Sequence, residues 1–116
     1  MTYDPNCLFC RIAKGEIPAE VVLETPDVVA FRDINPQAPT HVLVIPRDHV
    51  ESLEGLNRAH GDLLLNLVEA TNQVARQEGV AGGFRVVTNI GASAGQSVDH
   101  LHLHVLGGRS MHWPPG

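Results

Sequence analysis

The chain has 116 residues, 43% hydrophobic and 18% charged, enough apolar content for a single globular domain over residues 1–116 to bury a core without covalent staples. Eight Lys plus Arg against thirteen Asp plus Glu leave a formal charge of −5 with no basic run, which argues against nucleic acid or an anionic membrane as partner. The first residues lack a signal-peptide pattern and no apolar run reaches bilayer-spanning length, so the expected location is cytoplasmic.

Residues 7–14 predict a short helix closed by Gly15, with Leu8, Phe9 and Ile12 as its apolar face. Residues 21–24 and 28–32 predict two strands joined by the turn chemistry of Thr25-Pro26-Asp27. Two prolines make residues 35–39 a loop, after which residues 40–45 predict a third strand stopped by Pro46. From about residue 57 to 77, Leu64, Leu67, Val68, Thr71, Val74 and Ala75 recur at helical spacing, and Gly79 closes this one long amphipathic helix. Residues 83–89 and 99–106 predict a fourth and a fifth strand, an antiparallel pair joined by the small-residue loop 91–97. The order α-β-β-β-α-β-β argues for an α+β domain with helices covering one face of a mostly antiparallel sheet.

The chemistry concentrates at the end of that order. His100-Leu-His-Leu-His104 places three imidazoles at i, i+2 and i+4, so in a strand all three share one face while Leu101, Leu103 and Val105 share the other. A solvated strand face has the same alternation, but three adjacent titratable rings repel one another whenever they are protonated, so histidine is a poor choice for it. All three on one catalytic zinc is also disfavoured. They span about 13 Å along a regular strand, too far for a common centre with bonds near 2 Å.

The preceding stretch from Asn89 to Val98 contains Gly91, Ala92, Ala94 and Gly95, which let a ligand approach backbone N–H groups, and Asn89, Gln96 and Ser97, which add neutral hydrogen-bonding groups. Alone it is a weak motif, equally a hairpin connection; it is neither a Walker A loop nor a dinucleotide fingerprint. No Lys or Arg occurs from Gly91 through Leu106, so a phosphorus centre with one net charge fits better than a polyphosphate. A neutral imidazole attacks such a centre without adding negative charge and leaves readily from the resulting phosphoramidate. Cys7 and Cys10, as Cys-Leu-Phe-Cys, suggest a metal or redox pair, half of a zinc site whose other ligands histidines can supply.

Together these residues resemble the histidine triad family, in particular its Hint branch of nucleotide-binding purine nucleoside phosphoramidases. The likeness runs through Leu8-Phe-Cys-Arg-Ile12, Gly15-Glu-Ile-Pro18, Phe31-Arg-Asp-Ile34, Pro36-Gln-Ala-Pro-Thr-His-Val-Leu-Val-Ile-Pro46, Gly95-Gln-Ser-Val98, the triad, and the ending Leu106-Gly-Gly-Arg-Ser-Met-His-Trp-Pro-Pro-Gly116. The resemblance implies a five-stranded antiparallel sheet with two helices per subunit, paired in a homodimer as a continuous ten-stranded sheet.

It further implies hydrolysis of the P–N bond of purine nucleoside 5′-phosphoramidates, such as adenosine 5′-monophosphoramidate, through a covalent nucleotidyl-histidine and without a catalytic cofactor. His102 takes the nucleophile's place, His104 the phosphate contact and Ser97 the leaving-group side, with His41 supporting the triad or simply being an internal histidine. Asn89, Gly95 and Gln96 match the other phosphate-side positions, and Asp33 the ribose-binding carboxylate with Ile34 beside it. Leu8, Phe9, Ile12, Phe31, Ile34 and Leu43 would line the base slot; Ile12 and Leu43 read equally well as core. Trp113 would reach the partner's site or clamp the dimer. Cys7, Cys10, His49 and His100 would hold a structural zinc. Two departures stand out, Ala94 where relatives often carry Gly and Asp99 where an aromatic is common in some members. A non-catalytic nucleotide-binding or scaffolding protein is the rival reading.

Overall fold

A computed structural model describes residues 2–116. Helix α1 spans Leu8–Ala13, strands β1, β2 and β3 span Val21–Glu24, Val28–Arg32 and Thr40–Pro46, helix α2 spans Gly61–Gln77, and strands β4 and β5 span Phe84–Val87 and Leu103–Gly107. All neighbouring strands pair antiparallel, in the order β1-β2-β3-β5-β4. This is the expected five-stranded sheet with two helices.

The helices do not share a face, as the element order had suggested. Every residue of β3 is buried, as are the first four of β2, because alternate side chains enter two separate cores. Val28, Ala30, Val42 and Val44 pack with Leu67, Ala70 and Val74 of α2 and with Leu101, Leu103 and Val105. On the opposite face Val29, Phe31, Leu43 and Ile45 pack with Cys7, Phe9, Cys10 and Ala13 at α1. The short helix is thus a lid on the second face, and the site forms beneath it.

Three boundaries also shift. Asn57 caps a separate 3-10 turn at 58–60, its side chain accepting from the Ala59 N–H while His60 Nδ1 accepts from the Asn57 N–H, so α2 begins only at Gly61. The fourth strand shrinks from 83–89 to Phe84–Val87. The fifth begins at Leu103 because the backbone of residues 100–102 has other partners: Leu101 N–H donates to Val50 O, and His102 O accepts from the Thr88 hydroxyl at 2.9 Å. Only His104 of the three histidines lies in the ladder, opposite Leu43 of β3 and Val87 of β4. The alternation of faces nevertheless persists, with Leu101, Leu103 and Val105 in the α2 core. No helix is long and apolar enough to cross a membrane among the described residues.

Candidate active site

Between α1 and the edge of the β2–β3 face lies a cavity of about 470 Å³. Its wall includes ten of the residues singled out from the sequence: Leu8, Phe9, Ile12, Phe31, Asp33, Ile34, Leu43, Ser97, His102 and His104. Phe9 organises the apolar end. Its ring stands edge-on to Phe31 at 5.4 Å and to His102 at 5.1 Å between centroids, geometry that suits the aromatic quadrupole. Ile34 is fully exposed and forms a rim rather than a floor. Pro18, Ala19, Glu20, Arg32 and Val98 complete the wall; sequence reasoning missed them because nothing in their local pattern sets them apart from an ordinary turn or strand.

The two histidines facing this cavity present opposite chemistry. The carbonyl of His100 lies 2.7 Å from His102 Nδ1 and can only accept, so His102 carries its proton on Nδ1 and leaves Nε2 with a free lone pair. On His104 it is Nδ1 that is engaged, 2.9 Å from His41 Nε2. Burial, assisted by the neighbouring His102 and His41 rings and opposed by Asp33, pulls the His104 pKa down to about 4. His104 is therefore a neutral ring at ordinary pH. The His102 and His104 rings are 5.0 Å apart, close enough to act on one phosphorus centre.

Asp33 supplies a carboxylate to the cavity wall. Its Oδ1 accepts from the Asn35 N–H at 2.8 Å, and its Oδ2 stands 3.4 Å from His41 Nε2. His41 is buried and does not line the cavity.

Of the polar side chains before the triad, Ser97 lines the cavity while Gln96 is turned into the protein. Gln96 is fully spent inside the protein: its Oε1 accepts from the Gly91 N–H, and its Nε2 donates to the carbonyls of Glu51 and Val98. Gln96 shapes the loop and does not line the cavity; Asn89 and Gly95 also stand outside its wall. Gly95 adopts φ +98°, a conformation other residues rarely take, and faces the Asn89 amide. Trp113 is 84% exposed and away from this cavity, on a tail held to β4 by the Arg85 guanidinium donating to the His112 carbonyl.

Cys7, Cys10, His49 and His100 bring their ligand atoms within 4.8 Å of one another. His100 is completely buried, and its Nε2–H donates to the Pro46 carbonyl at 2.8 Å, which leaves Nδ1 bare toward Cys7 Sγ at 3.3 Å and Cys10 Sγ at 3.5 Å. His49 Nδ1 lies 3.3 Å from Cys10 Sγ. Tetrahedral zinc with ordinary bond lengths would set S and N ligands about 3.6 Å apart, so the four residues fit that ion, and the Pro46 carbonyl is the usual outer support of a ligating imidazole. Burial raises the Cys10 thiol and lowers His100 to about 4, so without an ion this pocket favours uncharged groups.

A family model described as the HIT domain matches residues 14–111. The chain is 50% identical over 115 residues to the 14 kDa zinc-binding protein of Zea mays, covering 97% of this chain and 90% of that one. It is 48% identical over 115 residues to the adenylylsulfatase HINT1 of Arabidopsis thaliana, covering 97% of this chain and 78% of the relative. Among solved structures, a HIT family hydrolase from Legionella pneumophila Philadelphia 1 superposes with a TM-score of 0.93 at 51% identity, covering 96% of this chain and all of the other. Family model, relatives and fold agree with the histidine pattern, and the chain belongs to the HIT domain family.

Proposed function

We propose that this protein is a nucleotide hydrolase that cleaves the P–N bond of purine nucleoside 5′-phosphoramidates through a covalent nucleotidyl-His102. The observation that carries this reading is the pairing of a bare imidazole nitrogen on His102 with a neutral, half-buried His104 at the end of an apolar slot closed by a carboxylate.

The purine lies among Leu8, Phe9, Ile12, Phe31 and Leu43, and Asp33 accepts the two hydroxyls of the ribose. His102 Nε2 attacks phosphorus, the P–N bond to the leaving amine breaks, and the amine departs with a proton relayed to it from solvent through the Ser97 hydroxyl, which is left protonated. His104 donates a hydrogen bond to a phosphoryl oxygen as charge builds there. Water then attacks the nucleotidyl-His102 bond, releasing the nucleoside monophosphate and returning His102 to its starting tautomer. No Lys or Arg from Gly91 through Leu106 stands ready to neutralise a polyphosphate, which favours a single charged phosphorus centre.

Two further assignments accompany this reading. Cys7, Cys10, His49 and His100 hold one zinc, supported by their donor set and by the name of the maize relative. The ion would cross-link α1 to the residues leading into β5 and takes no part in bond cleavage. Two chains form a homodimer through the free edge of β4, supported by the apolar side chains exposed on β4 and α2.

The test is AMP release from adenosine 5′-monophosphoramidate beside His102→Ala. Turnover in the wild type, reduced by about a thousandfold or more in the variant, is expected for loss of a covalent nucleophile. Turnover in the variant at the wild-type rate refutes the nucleophile. Binding of AMP with no turnover by either protein transfers the chain to a nucleotide-binding or scaffolding role. Adenosine 5′-phosphosulfate belongs in the same assay, because a relative bears the name adenylylsulfatase.

A further inference from the structure

His41 is the one histidine near the site that the proposed chemistry does not touch. It is buried, it stays out of the cavity wall, and both its ring nitrogens have partners. The backbone N–H of Gln37 points at Nδ1 from 3.0 Å. An amide N–H can only donate, so Nδ1 is the bare nitrogen and the proton of the neutral ring is on Nε2. That N–H lies 2.9 Å from His104 Nδ1, which must then accept. The proton of His104 is thereby placed on its own Nε2.

We infer that the peptide N–H of Gln37 acts through His41 to hold His104 as an Nε2–H hydrogen-bond donor, which makes Gln37 and His41 positioning residues for the phosphate-facing donor. The inference rests on the nucleotide-site reading for its catalytic meaning, though the proton order itself does not. Donation runs one way along the line, from the Gln37 amide to His41, from His41 to His104, and from His104 outward. Reversing any member turns the last ring around, and its Nε2 would then confront phosphoryl oxygens with a lone pair.

Three observations support a fixed rather than a fluctuating order. Burial lowers the pKa of His41 against the pull of Asp33 and lowers His104 as well, so both rings are neutral and their tautomers carry meaning. The Gln37 peptide is gripped on its other side too, where its carbonyl accepts from Arg109 Nε at 3.0 Å. Gly108 presses on the same loop at φ +87°, so close that a Cβ there would come within 2.9 Å of Pro39. The side chain of Gln37 plays no part, its amide being turned to the Asn35 carbonyl.

Asp33, His41 and His104 also bring ligand-type atoms within 4.8 Å of one another, as a metal site would. The Gln37 amide argues against that use. A neutral His41 ligating through Nε2 must carry its proton on Nδ1, which is where the Gln37 N–H already points.

The experiment has a spectroscopic and a kinetic arm. In 15N-labelled wild-type protein, long-range 1H–15N correlation is expected to show protons on Nε2 of both His41 and His104, with coupling across the His41 Nε2–H to His104 Nδ1 hydrogen bond. A proton on Nδ1 of either ring overturns the inference, whether or not the protein hydrolyses phosphoramidates. In the kinetic arm, His41→Gln keeps a donor toward His104, His41→Glu presents an acceptor of the same shape, and His41→Met presents neither. The Gln variant is expected to lose less than about tenfold in kcat and the Glu and Met variants about a hundredfold, all with KM changed by less than about threefold. A Gln variant no better than Met, with all three folded by circular dichroism, also overturns it. Absence of any wild-type turnover refutes the hydrolase reading and leaves the spectroscopic arm standing.

Discussion

Two histidines two residues apart carry opposite tautomers because their backbones stand in different surroundings. His102 lies before the ladder, where the His100 carbonyl reaches its Nδ1; His104 lies within β5, where its Nδ1 meets His41 across the strand pair. The depressed pKa values have a consequence for stability. His104, at about 4 in the folded protein, and His41, shifted the same way, bind protons more readily in the unfolded chain, where an imidazole has its usual value near 6.5. Their contribution is fully present above about pH 6.5 and is lost as the pH falls toward 4, because the unfolded state then takes up the protons. The urea midpoint is therefore expected to hold from about pH 8 to 7 and to fall between about 6.5 and 4, less steeply in His104→Gln. A midpoint that rises on acidification through this window contradicts the assignment. The alternation that puts these rings on one face was legible in the sequence, since period two survives even where the ladder is broken. Their tautomers were not, because Gln37 and the carbonyls of Pro46 and His100 act through backbone atoms that no side-chain pattern records. Gln96 is the converse case, a polar side chain in a small-residue loop that is consumed by the Gly91 amide and the Glu51 and Val98 carbonyls.

Among elements, α1 depends most on something outside itself. It has six residues, too few to be a stable helix alone, and its only side-chain cap is the Cys7 sulfur accepting from the Cys10 N–H. What holds it is the packing of Phe9, Cys10 and Ala13 on the sheet, together with the proposed zinc, whose ligands come from the helix and its N-cap, the segment after β3 and the approach to β5. Metal analysis of untagged protein is expected to find one zinc per chain. Its removal by a strong chelator is expected to lower the melting temperature while His102-dependent turnover survives under permissive conditions. Metal-free protein as isolated, or Cys7→Ser and Cys10→Ser variants that melt as the wild type does, would remove zinc from the account. The Cys-x-x-Cys spacing announced half of this cluster, and His49 and His100 entered only through the resemblance. The starts of α2 and β5 were misjudged for one shared reason. Asn57 in one case, Val50 and Thr88 in the other, offer the backbone a competing partner where side-chain periodicity alone says the element continues.

The whole molecule leaves one sheet edge with a use still to be assigned. β1 and β4 end the sheet, and β4 carries the exposed Val86, with the exposed Ile90 just beyond it. Helix α2 adds Leu64, Leu65 and Val68, all more than 40% exposed although Leu64 and Val68 belong to its helical apolar spacing. An apolar edge strand invites pairing, and pairing with a second copy satisfies both edges at once through a two-fold axis. The tail leads the same way, since Arg85 on β4 holds the His112 carbonyl and Trp113 follows, solvent-facing and outside its own chain's cavity. Light scattering is expected to give twice the 12.5 kDa of one chain, and Leu65→Glu to return it to one. Trp113→Ala is expected to keep the dimer and the affinity for AMP while changing the relative rates for different leaving amines, if the tail reaches the partner's site. Unchanged relative rates with an intact dimer would make Trp113 a clamp alone, and a wild-type protein that remains monomeric at micromolar concentration would leave the β4 edge as a terminus rather than an interface.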